Sequence, residues 1–159
     1  MSKLFAFIWF AFVALPASGD ARDQIDGPVL AEILRVIDGD TLLVEARPWP
    51  QQTMEVYVRL RGIDAPEMHS RCADTRRAAL DAREALVSLT ESSPEIRLTQ
   101  ISGDKYFGRI LADVTLSDGK NPAQDLLELG MVSSYDGGRK PKLSCPSGSN
   151  AAPNEQGGM

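Results

Sequence analysis

Charged residues that could bind a cation and a phosphate occur in four short segments, each where a strand-like run ends and a turn begins. These are AspGlyAspThr at 38–41, ArgLeuArgGlyIleAspAlaProGlu at 59–67, AspLysTyrPheGlyArg at 104–109 and the start of a short capped helix at 121. Each segment alone has an ordinary explanation, such as a turn, a helix cap or a solvated strand face. Their combination in one small chain indicates a site for a charged substrate.

Two of the carboxylates, Asp40 and Asp64, suit a hard divalent cation such as calcium, which accepts oxygen ligands in flexible geometry. Counted with Glu67 against Arg59 and Arg109, they give the site a formal charge of −1 without a metal and +1 with one. The cation reverses the sign of the site. Metal and phosphate are therefore expected to favour each other's binding.

The segments resemble the staphylococcal nuclease (thermonuclease) family over residues 28–136. The family's IleAspGlyAspThr stands at 37–41, its Arg followed five residues later by Asp and then by ProGlu stands at 59–67, and its AspLysTyr…GlyArg stands at 104–109. The resemblance implies an OB-fold barrel and a calcium-dependent nuclease that hydrolyses phosphodiester bonds of DNA or RNA. It further implies endonucleolytic cleavage with 3′-phosphate products.

The resemblance also assigns roles to individual residues. The catalytic residues are Arg59 and Arg109, which bind the phosphate, and Glu67, which orients or deprotonates a water. The metal ligands are Asp40, Asp64 and the backbone carbonyl of Ala65. The substrate contacts are Lys105, Tyr106 and Tyr135. The chain departs from the family at Phe107, an extra residue between Tyr106 and Gly108, and lacks a counterpart of the family's third helix.

Other residues receive less weight. Arg59 and Arg61 share a strand face, and the spacing to Asp64 and Glu67 selects Arg59, which leaves Arg61 as a solvated neighbour. Trp49, in a Pro-rich loop, could stack a base. The single histidine, His69, is expected to be solvated, and with only two cysteines the chain does not support a zinc site of His and Cys.

The elements that must position these residues follow from periodicity. Apolar runs at 29–37 and 41–44 flank an AspGly turn, which indicates a hairpin, and alternation at 53–63 predicts a third strand. A helical period over 74–90 precedes runs at 95–101 and 109–116, and a short helix follows between Asn121 and Gly130. The order β-β-β-α-β-β-α predicts a mainly β protein with helices (α+β), a five-stranded barrel of OB type. An open α+β sandwich is the alternative.

The N-terminal segment predicts export, and the C-terminal segment predicts a tail. Residues 1–19 contain Lys3, an apolar run from Leu4 to Leu15 and small residues before Asp20, the pattern of a signal peptide. An uncleaved anchor is the alternative. We expect a nuclease domain at 28–143 and, because aliphatic residues are nearly absent, a disordered tail at 144–159. The protein would be a periplasmic or extracellular monomer without stable membrane insertion.

Charge and cysteines refine this expectation. The formal net charge is −5 and becomes −6 without residues 1–19, the wrong sign for general binding of polyanions. Cys72 and Cys145 would meet an oxidising compartment, which predicts a disulfide, with two free thiols as the alternative. The alternative function is a non-catalytic OB module that binds nucleic acid or protein. An inhibitor or adhesion domain is a third hypothesis that no specific residue favours.

Overall fold

A closed barrel forms the body of the protein in the computed structural model, which describes residues 24–138 and Cys145. Its long strands are β2 (Val29–Asp38), β3 (Thr41–Trp49), β4 (Gln52–Leu60), β6 (Glu95–Gly103) and β7 (Arg109–Thr115). Two helices, α1 (Ala73–Thr90) and α2 (Pro122–Glu128), and three two-residue strands complete the order. The short strands are β1 (Gln24–Ile25), β5 (Ile63–Asp64) and β8 (Ser133–Ser134).

Pairing between the long strands runs in the order β6-β2-β3-β4-β7 and closes where β7 pairs with β6. All these pairs are antiparallel except β4 with β7, in which Tyr57 lies opposite Arg109 and Arg59 opposite Leu111. This parallel pair brings two segments that are far apart in sequence to the same end of the barrel. The predicted five-stranded OB-type barrel and its order of elements are thus confirmed, with the three short strands as additions.

The alternating apolar residues fill the barrel. Leu42, Val44, Val58 and Leu98 are fully buried, whereas Tyr57 between two inward residues is exposed. One face of helix α1 is buried at Ala79, Ala82 and Leu86, and the last two belong to the hydrophobic core of the barrel. The helix packs against β2 and α2. The core therefore fixes the ends of β2 and β4, where the charged segments lie.

The caps of α2 are those that the sequence predicts. The Asn121 side chain accepts a hydrogen bond from the backbone N–H of Ala123, and Pro122 occupies the first turn. The chain leaves the helix at Gly130, whose φ of 69° is strained for other residues. A short stop here lets the chain turn back toward β5, with which β8 pairs.

The predicted signal peptide at 1–19 and the predicted tail at 144–159, Cys145 excepted, lie outside the described residues. Within the described part of the chain, no helix has the length and apolar character needed to cross a membrane.

Candidate active site

A cleft of about 1190 Å³ opens at the end of the barrel where β2 and β4 finish. Its walls come from 37–40, 59–63, 65–69, the β6–β7 turn and 135–138. Three of the four charged segments contribute directly to this one space. The fourth, the start of α2, does not line it, so its cap serves the helix alone.

Asp40 is held at the base of the cleft by a close approach of backbone. A Cβ atom on the preceding residue, Gly39, would lie 2.7 Å from the Cβ of Ala82 in α1 and 3.0 Å from that of Ala65. Only glycine fits there without displacement. The Asp38 carboxylate accepts a hydrogen bond of 3.0 Å from the Asp40 N–H and so stabilises the turn.

The Asp40 carboxylate is buried, at 3% exposure, and fully engaged. Its Oδ2 accepts the N–H of Ala65 at 2.8 Å, and its Oδ1 accepts the Thr41 hydroxyl and Nη1 of Arg59, each at 2.9 Å. Burial raises the pKa of Asp40 to about 6, although Arg59 and the Ala65 N–H act in the opposite direction. The site thus holds an anion that gains stability from added positive charge.

Arg59 joins the two predicted metal carboxylates. While Nη1 donates to Asp40, Nη2 donates to Oδ1 of Asp64 at 2.6 Å and to the carbonyl of Ile63 at 3.3 Å. Burial lowers the pKa of the guanidinium, but attraction to Asp40 and the hydrogen bond to Asp64 outweigh it, so the pKa is raised. Arg59 remains charged and links both anions.

The donor set fits a hard cation in part. Asp40 and Asp64 are close enough to share one cationic side chain, which shows that positive charge is accommodated between them. Over residues 24–138 and at Cys145, no group of three or more His, Cys, Asp or Glu side chains could by itself hold a metal ion. Calcium takes six to eight oxygens, so water and substrate would have to supply much of its shell.

Arg109 begins β7 and also lines the cleft. Its Nε pairs with Oδ2 of Asp104, and its guanidinium carbon lies 4.6 Å from the centre of the Tyr106 ring. The ammonium of Lys105 lies 5.0 Å from the same centre. Two cations therefore flank one aromatic ring beside the site.

Glu67 follows the Ala65-Pro66 segment and lines the same cleft, with its side chain exposed. An exposed carboxylate can exchange a proton with solvent and accept one from a water in the cleft. Glu67 is thus placed with Arg59 and Arg109, as the sequence predicts.

Comparison of the sequence with known protein families gives a match. Residues 57–151, more than half of the chain, match the family described as staphylococcal nuclease homologue. The chain belongs to this family. The matched region contains Arg59, Asp64, Glu67 and Arg109, and the fold brings Asp40, which precedes it, into contact with Arg59. A search of curated proteins found no match to the chain.

Members of the staphylococcal nuclease family are typically nucleases, which bind nucleic acid. Two further residues of the cleft are placed where such a ligand could reach them. Tyr135 is half-buried in the cleft wall, where its hydroxyl donates to the carbonyl of Gly138 at 2.8 Å and its N–H donates to Gly62 at 2.8 Å. His69 also lines this cleft. Both are within reach of a ligand in the space that Arg59 and Arg109 share.

Two acidic residues of this cleft received no role from the sequence. Asp38 stabilises the turn before Asp40, and Asp104 pairs with Arg109. The signal for Asp104 was its place at the head of the AspLysTyr segment. Their two negative charges are matched by those of Lys105 and Arg61, which line the same cleft, so their effect is on the local position of charge.

The expectation that Arg61 is a solvated neighbour is wrong. Its Nη2 donates to the carbonyls of Gln100 and Leu111 and to the Ser102 hydroxyl, and its Nε lies 3.7 Å from Oδ1 of Asp113. Arg61 therefore ties the end of β4 to β6 and β7. It lines the cleft as well, but these contacts give it a structural role in the barrel.

Trp49 is exposed, as expected for a loop aromatic, but lies at the far end of β3 from Thr41 and lines a separate cleft with Arg47 and Pro50. At roughly 3.3 Å per residue, the length of β3 places it about 26 Å from the Asp40 turn. Stacking on Trp49 therefore cannot help to hold a base next to the reacting phosphate.

The cysteines lie together beside α1. Cys72 is buried at the N-cap of that helix, and Cys145 is exposed. Both are thiols in the structure, and a hydrogen bond between them lowers the pKa of Cys72 to about 7 and raises that of Cys145. The predicted disulfide stays a prediction, and the proximity that it requires is present.

Proposed function

We propose that this member of the staphylococcal nuclease family is a calcium-dependent endonuclease that hydrolyses phosphodiester bonds of DNA or RNA and leaves 3′-phosphate ends. The observation that carries the proposal is the Arg59 guanidinium shared by Asp40 and Asp64, in a cleft that also contains Glu67 and Arg109. Such a site combines anions for a cation with cations for a phosphate.

Asp40 and Asp64, with the main chain at Ala65, would hold calcium. Bound there, calcium would act as a Lewis acid on the phosphate and balance its developing charge. The charge of Asp40 and Asp64 would then be neutralised without Arg59, which frees the guanidinium for the substrate. Metal and phosphate binding would be coupled through this one side chain.

The protein's own side chains would perform the rest of the reaction. Arg59 and Arg109 would each donate hydrogen bonds to non-bridging phosphate oxygens, which stabilises charge that increases in the transition state. Glu67 would orient a water and accept its proton as the water oxygen attacks phosphorus in line with the departing 5′ oxygen. Asp104 keeps Arg109 in position. We further propose that the protein is exported and acts as a monomer.

The test is incubation of the purified protein with supercoiled plasmid and with RNA, with calcium, with magnesium and with a calcium chelator. We expect nicking and linearisation with calcium, little with magnesium, whose octahedral shell is stricter, and none with chelator. Ends that a phosphatase must treat before a polymerase extends them would identify 3′-phosphates.

Strong activity in chelator would contradict the metal assignment. Binding of nucleic acid without cleavage under all conditions would favour the non-catalytic OB module. Exonuclease digestion of linear but not circular DNA would contradict the endonucleolytic part alone.

A further inference from the structure

The β6–β7 turn carries an aromatic residue that nothing in the fold uses. The turn is closed at both ends, because the N–H of Asp104 donates to the carbonyl of Arg109 at 3.1 Å and the N–H of Arg109 donates to that of Tyr106 at 3.3 Å. At its tip, Phe107 is 110% exposed, the highest value among the exposed large apolar residues of the described chain. A ring held this far into water on a closed turn makes no contribution to the core.

The neighbours of Phe107 define what could cover it. Tyr106 and Lys105 line the active-site cleft directly before it, and Arg109 follows two residues later. Phe107 itself does not line the cleft and is fully exposed to water next to that wall. An apolar ring is thus placed one residue beyond a wall that carries two cationic groups.

We propose that Phe107 is a base-stacking subsite for the nucleotide next to the phosphate that Arg109 binds, and that it selects nucleic acid with unpaired bases. The proposal rests on the nuclease function proposed above. Lys105 and Arg109 attract the phosphate backbone, and the ring offers a flat apolar face at the same turn. A nucleotide presents this combination of a charged backbone beside an apolar ring.

Strandedness follows from the chemistry of stacking. A base inside a duplex already has both faces covered by its neighbours, whereas an unpaired base has a face free for an aromatic side chain. Because every base has such a face, the subsite is expected to tolerate all sequences. Selection would act on structure rather than on base identity.

The experiment measures binding with calcium in a Glu67→Gln background, so that the probe remains intact. The probes are a short fluorescent single strand, the duplex of the same sequence and a strand of equal length with abasic sites. Phe107→Ala and Phe107→Trp are compared with Trp49→Ala, which removes an exposed aromatic far from the cleft.

We expect Phe107→Ala to weaken binding of the single strand about tenfold, within the range for loss of one base-stacking contact, and to leave the duplex and abasic strand within twofold. Phe107→Trp should retain affinity, and Trp49→Ala should match the parent. Equal weakening for the abasic strand, or none for the single strand, would overturn the proposal. The proposal would also be overturned if Phe107→Ala bound the single strand like the parent but lost binding to anionic phospholipid vesicles, since the ring would then serve a lipid surface.

The two proposals fail separately. If the parent protein does not cleave nucleic acid but Phe107→Ala selectively weakens the single strand, the stacking subsite stands without the nuclease. If cleavage is calcium-dependent and Phe107→Ala binds and cuts single strands normally, the nuclease stands without the subsite.

Discussion

Nη2 of Arg59 lies 2.6 Å from Oδ1 of Asp64, a residue that follows it across the turn between β4 and β5. The other arm of the same guanidinium reaches Asp40, which ends the β2–β3 turn. Since both contacts need the planar fork, the geometry is specific to arginine. The Arg59 side chain therefore links the β2–β3 turn to the β4–β5 turn through hydrogen bonds.

Arg59→Lys and Arg109→Lys should each lower kcat on plasmid substantially, because a single ammonium cannot repeat a forked contact with phosphate oxygens. Arg61→Lys should leave kcat close to that of the parent but lower the melting temperature, because it loses hydrogen bonds that connect β4 to β6 and β7. Steady-state kinetics and thermal unfolding of the same preparations separate these effects. A kcat loss at Arg61 equal to that at Arg59 would show that the site is misplaced.

Glu67→Gln should slow turnover by about 10²-fold or more, since it removes the proton acceptor and retains the side-chain shape. Calcium affinity should stay nearly unchanged because Glu67 is outside the proposed ligand set. Calorimetric titration of calcium alongside single-turnover cleavage provides both readouts. A variant that cleaves at the parent rate would require another base.

Ionised Asp40 should destabilise the metal-free protein. Its pKa is about 6 when folded and near 4 when unfolded, so between these values the folded state binds more protons. The free energy of unfolding therefore decreases as the pH rises from about 4 to 6, by on the order of 2–3 kcal/mol from this residue.

Asp40→Asn should lack this component, and the difference between parent and variant in denaturant unfolding should depend on pH over that window. Bound calcium should remove the pH dependence of the parent's unfolding free energy over this window and leave that of the variant unchanged. A difference that is constant from pH 4 to 7 would contradict the burial argument.

Gly39→Ala should weaken calcium binding and destabilise the fold by roughly 1–3 kcal/mol, because the added Cβ overlaps Ala82 and Ala65 and shifts the Asp40 turn. Gly103→Ala is the matched control: nothing lies within 4 Å of its added Cβ. Unfolding curves and calcium titrations of the two variants should differ clearly. Equal behaviour would mean that the close approach at Gly39 is not restrictive.

Cys72 and Cys145 should form a disulfide when the protein is exposed to a thiol oxidant such as a disulfide-exchange oxidase, which accepts the two electrons as two protons leave. The lowered pKa of Cys72 favours the attack. Mass measurement should find the oxidised chain two hydrogens lighter, with two alkylation sites only after reduction. Serine at both positions should lower the melting temperature while activity at low temperature persists. Two alkylatable thiols after oxidation would refute the bridge.

Local patterns predicted most of the fold. Alternation over Val56, Val58 and Leu60 reports which face is buried, and Asn121 and Pro122 report a helix start through their own backbone chemistry. The two-residue strands were not predicted from the sequence, because each is defined by its pairing: β5 with β8, and β1 with β6. No propensity within so short a run could indicate them.

The charged site was predictable in composition but not in connectivity. Periodicity placed Arg59 and Arg61 on one face, yet their roles differ because Arg61 meets carbonyls 39 and 50 residues away. Such partners exist only after the barrel closes. The exclusion of Trp49 from the site likewise needed the length and direction of β3.

The parallel pairing of β4 with β7 determines when the active site forms during folding. Because Arg59 and Arg109 line one cleft only when β4 pairs with β7, an unfolded chain contains every proposed catalytic residue but lacks the assembled site. Contacts of such large sequence separation form late, after loop-closure entropy has been overcome. A nascent or unfolded copy would then be harmless to the nucleic acids around it, and enzymatic activity would report the last step of folding.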